Sequence, residues 1–284
     1  MTLPVTFLTD YGYEDEFAGA CRAVIARLAP SVRVVDLTHG IPAGDVRRGA
    51  LALEAATARA GVAVHLAVVD PGVGGGRRAV ALRALDGSHL VGPDNGLLTL
   101  AAGTLGGVAG AIDVSASALR LEPVAPTFHG RDLFAPVAAH LACERPLEVA
   151  GEAIDPGSLV ELELPTARIE GADLVATVLY ADGFGNLVLA AAPSALETLL
   201  DRGASATPAA GSEAPSAPPA RLSIATTAGE GHGALLGATF ADGLGGLVVY
   251  GDSSGRLGVA LDGGSAAEAL QVGRDAELRI SAAG

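Results

Sequence analysis

Apolar residues recur along the first half of the chain in two alternating periods. Val5–Thr9 is a short apolar run that predicts a strand ending at Asp10. Glu14–Leu28 then repeats Phe17, Cys21, Val24, Ile25 and Leu28 at helical spacing. Val32–Leu37 is rich in β-branched residues and reads as a strand. Asp45 stands where a cap would open a helix running to about Ala60. Val62–Val69 predicts a third strand, ending at Asp70, and Ala79–Arg83 and His89–Val91 predict two more. Arg131–Cys143 predicts a helix with Leu133, Phe134, Val137 and Leu141 on one side. Alternation of this kind predicts an α/β domain over residues 1–163 with a largely parallel sheet.

The period shortens after about residue 160. Leu159–Leu164, Asp173–Tyr180, Leu187–Ala190, Leu222–Thr226, Gly246–Gly251, Leu257–Leu261 and Ala276–Ile280 all read as short strands. Pro193–Leu200 carries the one clear helical pattern in this half. A smaller, all-β, barrel-like domain is expected over residues 168–284. Within it, residues 203–219 are dominated by Ala, Pro, Ser and Gly. Such a stretch offers little apolar surface to bury, so a flexible insertion is expected there.

Composition narrows the function classes. Half of the 284 residues are apolar and the formal charge is −14. An acidic chain lacks the basic face that nucleic acid or an anionic membrane surface demands, so neither partner is expected. No apolar stretch approaches the roughly 20 residues of a membrane span. Cys21 and Cys143 both fall in apolar helical patterns and read as buried free thiols. With no signal peptide visible at the N-terminus, a reducing cytoplasmic setting is expected. No Cys/His cluster has zinc spacing, so no metal is expected. The chain has no G-x-S-x-G elbow, which argues against a serine hydrolase.

Polar loops follow several strands: LTDYGYEDE, DLTHGIPAGD, VVDPGVGGGRR and VGPDNG. Ligands of open α/β sheets gather outside the carboxyl ends of strands, so Asp10, Asp45, Asp70 and Asn95 are expected along one rim. The loop from Asp70 to Arg78 is rich in glycine but leads into a strand, and it lacks the Lys-Ser/Thr of a phosphate-binding loop. Two readings stay open for it. In one it is a hairpin-like connection with two solvated arginines; in the other its glycines let a ligand approach while Asp70 and Arg77 face it. His129, in PTFHGRD, is either structural or catalytic. Asp15 either caps the following helix or binds a ligand, and Asn186 either serves a turn or a site.

Taken together, these segments resemble the S-adenosylmethionine (SAM) hydroxide adenosyltransferases, or SAM hydrolases, which are relatives of the fluorinase and chlorinase enzymes. The likeness runs through FLTDYGYEDEFAGACRAVI, VDLTHGIPAGDVRRGA, VVDPGVGGGRRAVAL, LVGPDNGLLTL, PTFHGRDLFAPVAAHLA, YADGFGNLVL and YGDSSGRLGVAL. It implies hydrolysis of SAM to adenosine and methionine by water or hydroxide attacking the ribose C5′, with SAM as substrate and no cofactor. It implies a homotrimer with active sites at the subunit interfaces. Asp70, Arg77 and His129 match the catalytic set of the hydrolases in identity and spacing. Asp10 matches a carboxylate that takes the ribose hydroxyls, and Asp15 a residue near the methionine end. Asp182, Asn186 and Ser253 match positions around the amino-acid portion and Phe240 a group packed on adenine, and Asn95, from its place on the rim, is expected to bind substrate too. The halogenases instead carry a Tyr-Ser pair where this chain has His129-Gly130. The alternatives are a SAM-dependent halogenase and a non-catalytic SAM- or adenosine-binding protein.

Overall fold

A computed structural model describes residues 2–203, 220–226, 229 and 231–283. The chain divides into two compact units, Met1–Leu162 and Glu163–Gly284. Of the expected flexible insertion at 203–219, residues 204–219 lie outside the described residues.

The first unit is a three-layer α/β arrangement. Its strands are β1 (Val5–Thr9), β2 (Val34–Thr38), β3 (Val64–Val68), β4 (Ala79–Ala84), β5 (His89–Pro93), β6 (Val108–Asp113) and β7 (Glu152–Ile154). Their spatial order is β2-β1-β3-β5-β4-β6-β7. The four strands β2, β1, β3 and β5 run parallel, while β4, β6 and β7 add antiparallel pairings. Successive side chains of a strand point to opposite faces, and the core follows that rule. Val5 and Phe7 of β1 and Val64, Leu66 and Val68 of β3 pack on one face with helices α1 (Phe17–Leu28) and α4 (Ala135–Ala142). Leu8 and Ala67 pack on the other with α2 (Val46–Thr57) and α3 (Thr99–Thr104). Fully burying a side chain such as Phe7 contributes roughly 1.5–3 kcal/mol. Asp45 caps α2, its carboxylate accepting from the Arg48 amide at 3.0 Å. Asp15 caps nothing: the residue before α1 is Glu16, and its side chain makes no cap bond.

The second unit is a closed barrel. Strands β9 (Asp173–Ala181), β10 (Leu187–Leu189), β11 (Arg221–Thr226), β12 (Gly231–Leu236), β13 (Leu247–Gly251), β14 (Leu257–Leu261) and β15 (Glu277–Ala282) form the ring β10-β14-β13-β12-β11-β15-β9, closed by the β9–β10 pairing. A short strand β8 (Arg168–Glu170) lies outside it on β9. Residues two apart, such as Leu222 and Ile224 or Leu247 and Val249, fill the interior. Among the described residues two α-helices accompany the strands, α5 (Pro193–Gly203) and α6 (Ala266–Leu270), and the second has no counterpart in the sequence reading. Leu159–Leu164 is not a strand. The Val160 amide donates to the Asp94 carboxylate instead, and Leu159 and Leu162 pack on the first unit's core.

Candidate active site

Register brings the loops together. Thr9 of β1 pairs with Val68 of β3, so Asp10 and Asp70 emerge just beyond the same sheet edge. Gly44, in the loop after β2, donates its amide to Asp10 Oδ2 at 2.8 Å. Its φ of +71° suits glycine, and a Cβ there would lie 3.6 Å from Pro71. Asn95, after β5, donates from Nδ2 to the Val69 carbonyl at 2.9 Å and accepts from the Leu97 amide. Asp10, Asp70 and Asn95 therefore meet on the expected rim, while Asp45 spends its carboxylate on the α2 cap. Asn95 braces the rim, spending its side chain on the backbone beside Asp70.

Asp70, Arg77 and His129 form one continuous chain. Arg77 Nε donates to Asp70 Oδ1 and Oδ2 at 2.9 and 3.1 Å, and Arg77 Nη2 also donates to Oδ2. The same Nη2 meets His129 Nδ1 at 3.0 Å. A guanidinium only donates, so Nδ1 accepts and the ring hydrogen resides on Nε2. The pair is well enclosed, with Asp70 5% and Arg77 12% exposed. The guanidinium also lies over the Phe134 ring, 5.3 Å from its centroid. Burial first, and the Arg77 charge next, hold the His129 imidazole below its ordinary value, so it is neutral at pH 7. Burial raises the Asp10 carboxyl above its ordinary value, partly offset by the Gly44 amide.

Two local features set this geometry. The turn from Pro71 to Gly76 folds back with Gly74 at φ +73°, and a Cβ there would stand 2.6 Å from the Pro126 carbonyl oxygen. Glycine at 74 thus lets the Asp70 loop touch the segment that carries His129. The second feature follows His129. Gly130–Phe134 is a π-helical turn in which the Ala135 amide donates to the Gly130 carbonyl, five residues back. Pro136 has no N–H to offer the Asp132 carbonyl, which instead accepts from the Leu121 amide at 2.7 Å. The wide turn puts Phe134 beneath Arg77. Asp132 clamps the preceding loop by accepting from the Ala125 amide at 2.9 Å, and it also accepts from the guanidinium of its neighbour Arg131. Burial works to raise the Asp132 carboxyl, but Arg131 and that amide outweigh it and hold it below the ordinary carboxylate value.

The remaining site candidates fall in two places. Asp15 is exposed on the first unit. Asp182, Asn186, Phe240 and Ser253 belong to the second. There the Asp182 carboxylate accepts from the Phe184 and Asn186 amides and from Asn186 Nδ2. Phe240 is half exposed and meets Tyr250 edge-on at 5.1 Å, and Ser253 is exposed. Tyr11 escaped the sequence reading. It follows Asp10, which was noted there, and only the fold shows its hydroxyl against Gly130. Among the described residues, no three His, Cys, Asp or Glu side chains gather as a metal-binding group.

These features define a two-unit protein, α/β followed by β-barrel, with a carboxylate–guanidinium–imidazole site at the strand ends of the first unit. The chain belongs to the SAM hydroxide adenosyltransferase family, whose N-terminal domain model matches residues 5–151 and whose C-terminal domain model matches residues 176–279. A relative from Salinispora tropica, an (R)-S-adenosyl-L-methionine hydrolase, is 47% identical over 279 residues, 98% of this chain and 97% of its own. An uncharacterized conserved protein of known structure from Thermotoga maritima superposes with a TM-score of 0.84 at 30% identity, covering 98% of this chain and 99% of that one. A fluorinase from an Actinoplanes species is more distant, at 27% identity over 208 residues, 64% of this chain and 70% of its own.

Proposed function

We propose that this protein hydrolyses SAM to adenosine and L-methionine, with Asp70, Arg77 and His129 handling the nucleophile. The observation that carries this reading is the 3.0 Å contact of Arg77 Nη2 with His129 Nδ1, made by a guanidinium already bound to Asp70. The identity of the substrate is supported by the Salinispora tropica hydrolase, similar over nearly its whole length.

The reaction is a displacement at the ribose C5′. A water oxygen forms the new bond to C5′ and the C5′–S bond breaks. Its electron pair stays on sulfur, giving the neutral thioether of methionine, and one water proton passes to solvent. Bulk water, with a pKa of about 15.7, is a weak nucleophile. Arg77 supplies a fixed cation that favours hydroxide character beside it. Asp70 spends both oxygens on Arg77 and so orients it. With its Nδ1 lone pair occupied, His129 serves as a hydrogen-bond donor through Nε2 rather than as a base. Asp10, held by the Gly44 amide, takes the ribose hydroxyls. Asp15, Asp182, Asn186, Phe240 and Ser253 complete the substrate set, and Asn95 serves it by bracing the rim. Water and SAM supply every product atom, so the reaction calls for no cofactor.

The assembly we propose is a homotrimer with active sites at subunit interfaces. Exposed Phe184, Leu244 and Tyr13 supply apolar surface for such contacts. Cys21 and Cys143 are free thiols, which suits a cytoplasmic location; among the described residues no helix is long and apolar enough to cross a membrane. One chromatographic experiment tests the activity. SAM incubated with the protein, with and without chloride, should yield adenosine and methionine in both cases. A 5′-chloro nucleoside would make it a halogenase, and SAM bound but unconsumed would make it a binding protein.

A further inference from the structure

Tyr11 is the polar group of the site that no role above uses. Its amide donates to Thr9 Oγ1 at 3.1 Å, and the next amide, Gly12, donates to the His39 carbonyl at 2.8 Å. Its ring packs among Phe17 and Phe128, with centroids 5.9 Å from each. The residue is thus held at its backbone and along its ring. Its hydroxyl lies directly against the backbone of Gly130: a Cβ on that residue would stand 2.0 Å from Tyr11 Oη. Among the described residues Oη has no hydrogen-bond partner. The charges of Asp10, Asp70 and Arg77 all act on it. A partnerless hydroxyl against Gly130, the residue that follows His129, and within reach of those charges is placed to meet a ligand.

We propose that Tyr11 is a positioning and specificity-determining residue for the nucleophile, its hydroxyl accepting a hydrogen bond from the attacking water and filling the space above Gly130 that a larger nucleophile would need. This inference rests on the hydrolase reading and deepens it. Burial pushes the phenol ionisation well up, so Tyr11 stays neutral and sets no anion against incoming hydroxide. A hydrogen bond to a water whose lone pair must face C5′ acts on geometry, and near-attack geometry is where positioning contributes to rate. A group acting only there changes kcat and leaves SAM binding alone.

The decisive variant is Tyr11→Phe, which keeps the ring contacts with Phe17 and Phe128 and removes only the hydroxyl. The expected result is a fall in kcat of about tenfold, with KM for SAM within about twofold and an unchanged melting temperature. With chloride present, a 5′-chloro nucleoside should rise relative to adenosine. The geometry has its own check in a double-mutant cycle: Gly130→Ala should lower the melting temperature more in the Tyr11 protein than in Tyr11→Phe. A Tyr11→Phe enzyme matching wild type in kcat and product ratio would overturn the assignment while leaving the hydrolase reading intact. A wild type that forms no adenosine from SAM would overturn both. Additive effects in the cycle would refute the placement of the hydroxyl on Gly130.

Discussion

Arg77 and Arg78 are neighbours in the chain, each bound to a buried aspartate, and they end in different places. Arg78 donates from Nε to Asp94 Oδ2 at 2.8 Å, from Nη1 to Ser158 Oγ at 3.0 Å, and from Nη2 to the Ser158 carbonyl. The other oxygen of Asp94 accepts from the Val160 amide at 2.9 Å. Every arm of that cluster closes on the scaffold, tying the 158–160 segment to the sheet. Arg77 makes the same pairing with Asp70, but its outer arm ends on an imidazole whose second nitrogen has no hydrogen-bond partner among the described residues. One ion pair is finished and the other is open at one end. Aspartate beside arginine is therefore no mark of function; the place where the hydrogen-bond chain stops is.

Removing the open arginine should give the largest effect. Arg77→Ala strips the cation from the nucleophile and frees Asp70, and we expect kcat to fall by about 10²–10³, in line with the loss of one charge-stabilising donor. SAM binding, measured by calorimetry, should persist. Wild-type turnover in this variant would remove Arg77 from the mechanism.

Arg78→Ala should produce the converse phenotype. It strands Asp94, which is 4% exposed, although Arg78 itself is 32% exposed. The loss should be roughly 2–3 kcal/mol of stability, below that of a wholly buried pair, read by chemical denaturation. Turnover of the folded fraction should stay near wild type. Should kcat collapse while stability holds, the contrast between the two arginines would be wrong.

Much of that contrast was legible in the sequence, and part was not. The alternation of periods gave the α/β unit, and the loop positions placed Asp10, Asp70 and Asn95 on one edge. The resemblance to the SAM hydrolases, whose catalytic set they match in identity and spacing, joined Asp70, Arg77 and His129. What escaped depends on partners far along the chain. VAGAID and GHGALL carry little β-branched character, yet they form β6 and β12 because β4, β7, β11 and β13 pair with them. LVELEL alternates like a strand but finds no edge to join, since Asp94 takes its amide. The two arginines look alike in GGGRRAV, and only Ser158, some 80 residues on, separates their roles. Gly130 stands out beside His129, but Tyr11 is ordinary until the fold stacks its hydroxyl against that glycine.

The glycine turn between the two halves of the cluster offers a subtler test. Gly74→Ala puts a Cβ at 2.6 Å from the Pro126 carbonyl oxygen and forces a side chain onto φ +73°. It should cost about 1–2 kcal/mol and lower kcat severalfold by pushing the Asp70 loop away from His129. Gly76→Ala, where a Cβ meets nothing within 4 Å, is its control and should change neither. Equal effects at both positions would mean that loop flexibility, not the Pro126 contact, is what glycine supplies.

The finest test reads the protons on His129. Arg77 donates to Nδ1, so ¹⁵N spectra of the imidazole should show a bare Nδ1 and a protonated Nε2 at neutral pH. The ring should titrate below 6.5, because burial and then Arg77 disfavour its cation. The sign follows directly. Between the folded value and 6.5 the unfolded chain binds more protons, so this group's contribution to stability is full above about 6.5 and is lost as pH falls toward the folded value. In Arg77→Gln the titration should move back toward 6.5, but only partly, since burial remains. The acid limb of kcat in the wild type should track the same ring. Protonation on Nδ1, or an acid limb at or above 6.5, would break the hydrogen-bond chain at its last link and return Arg77 to the class of its neighbour.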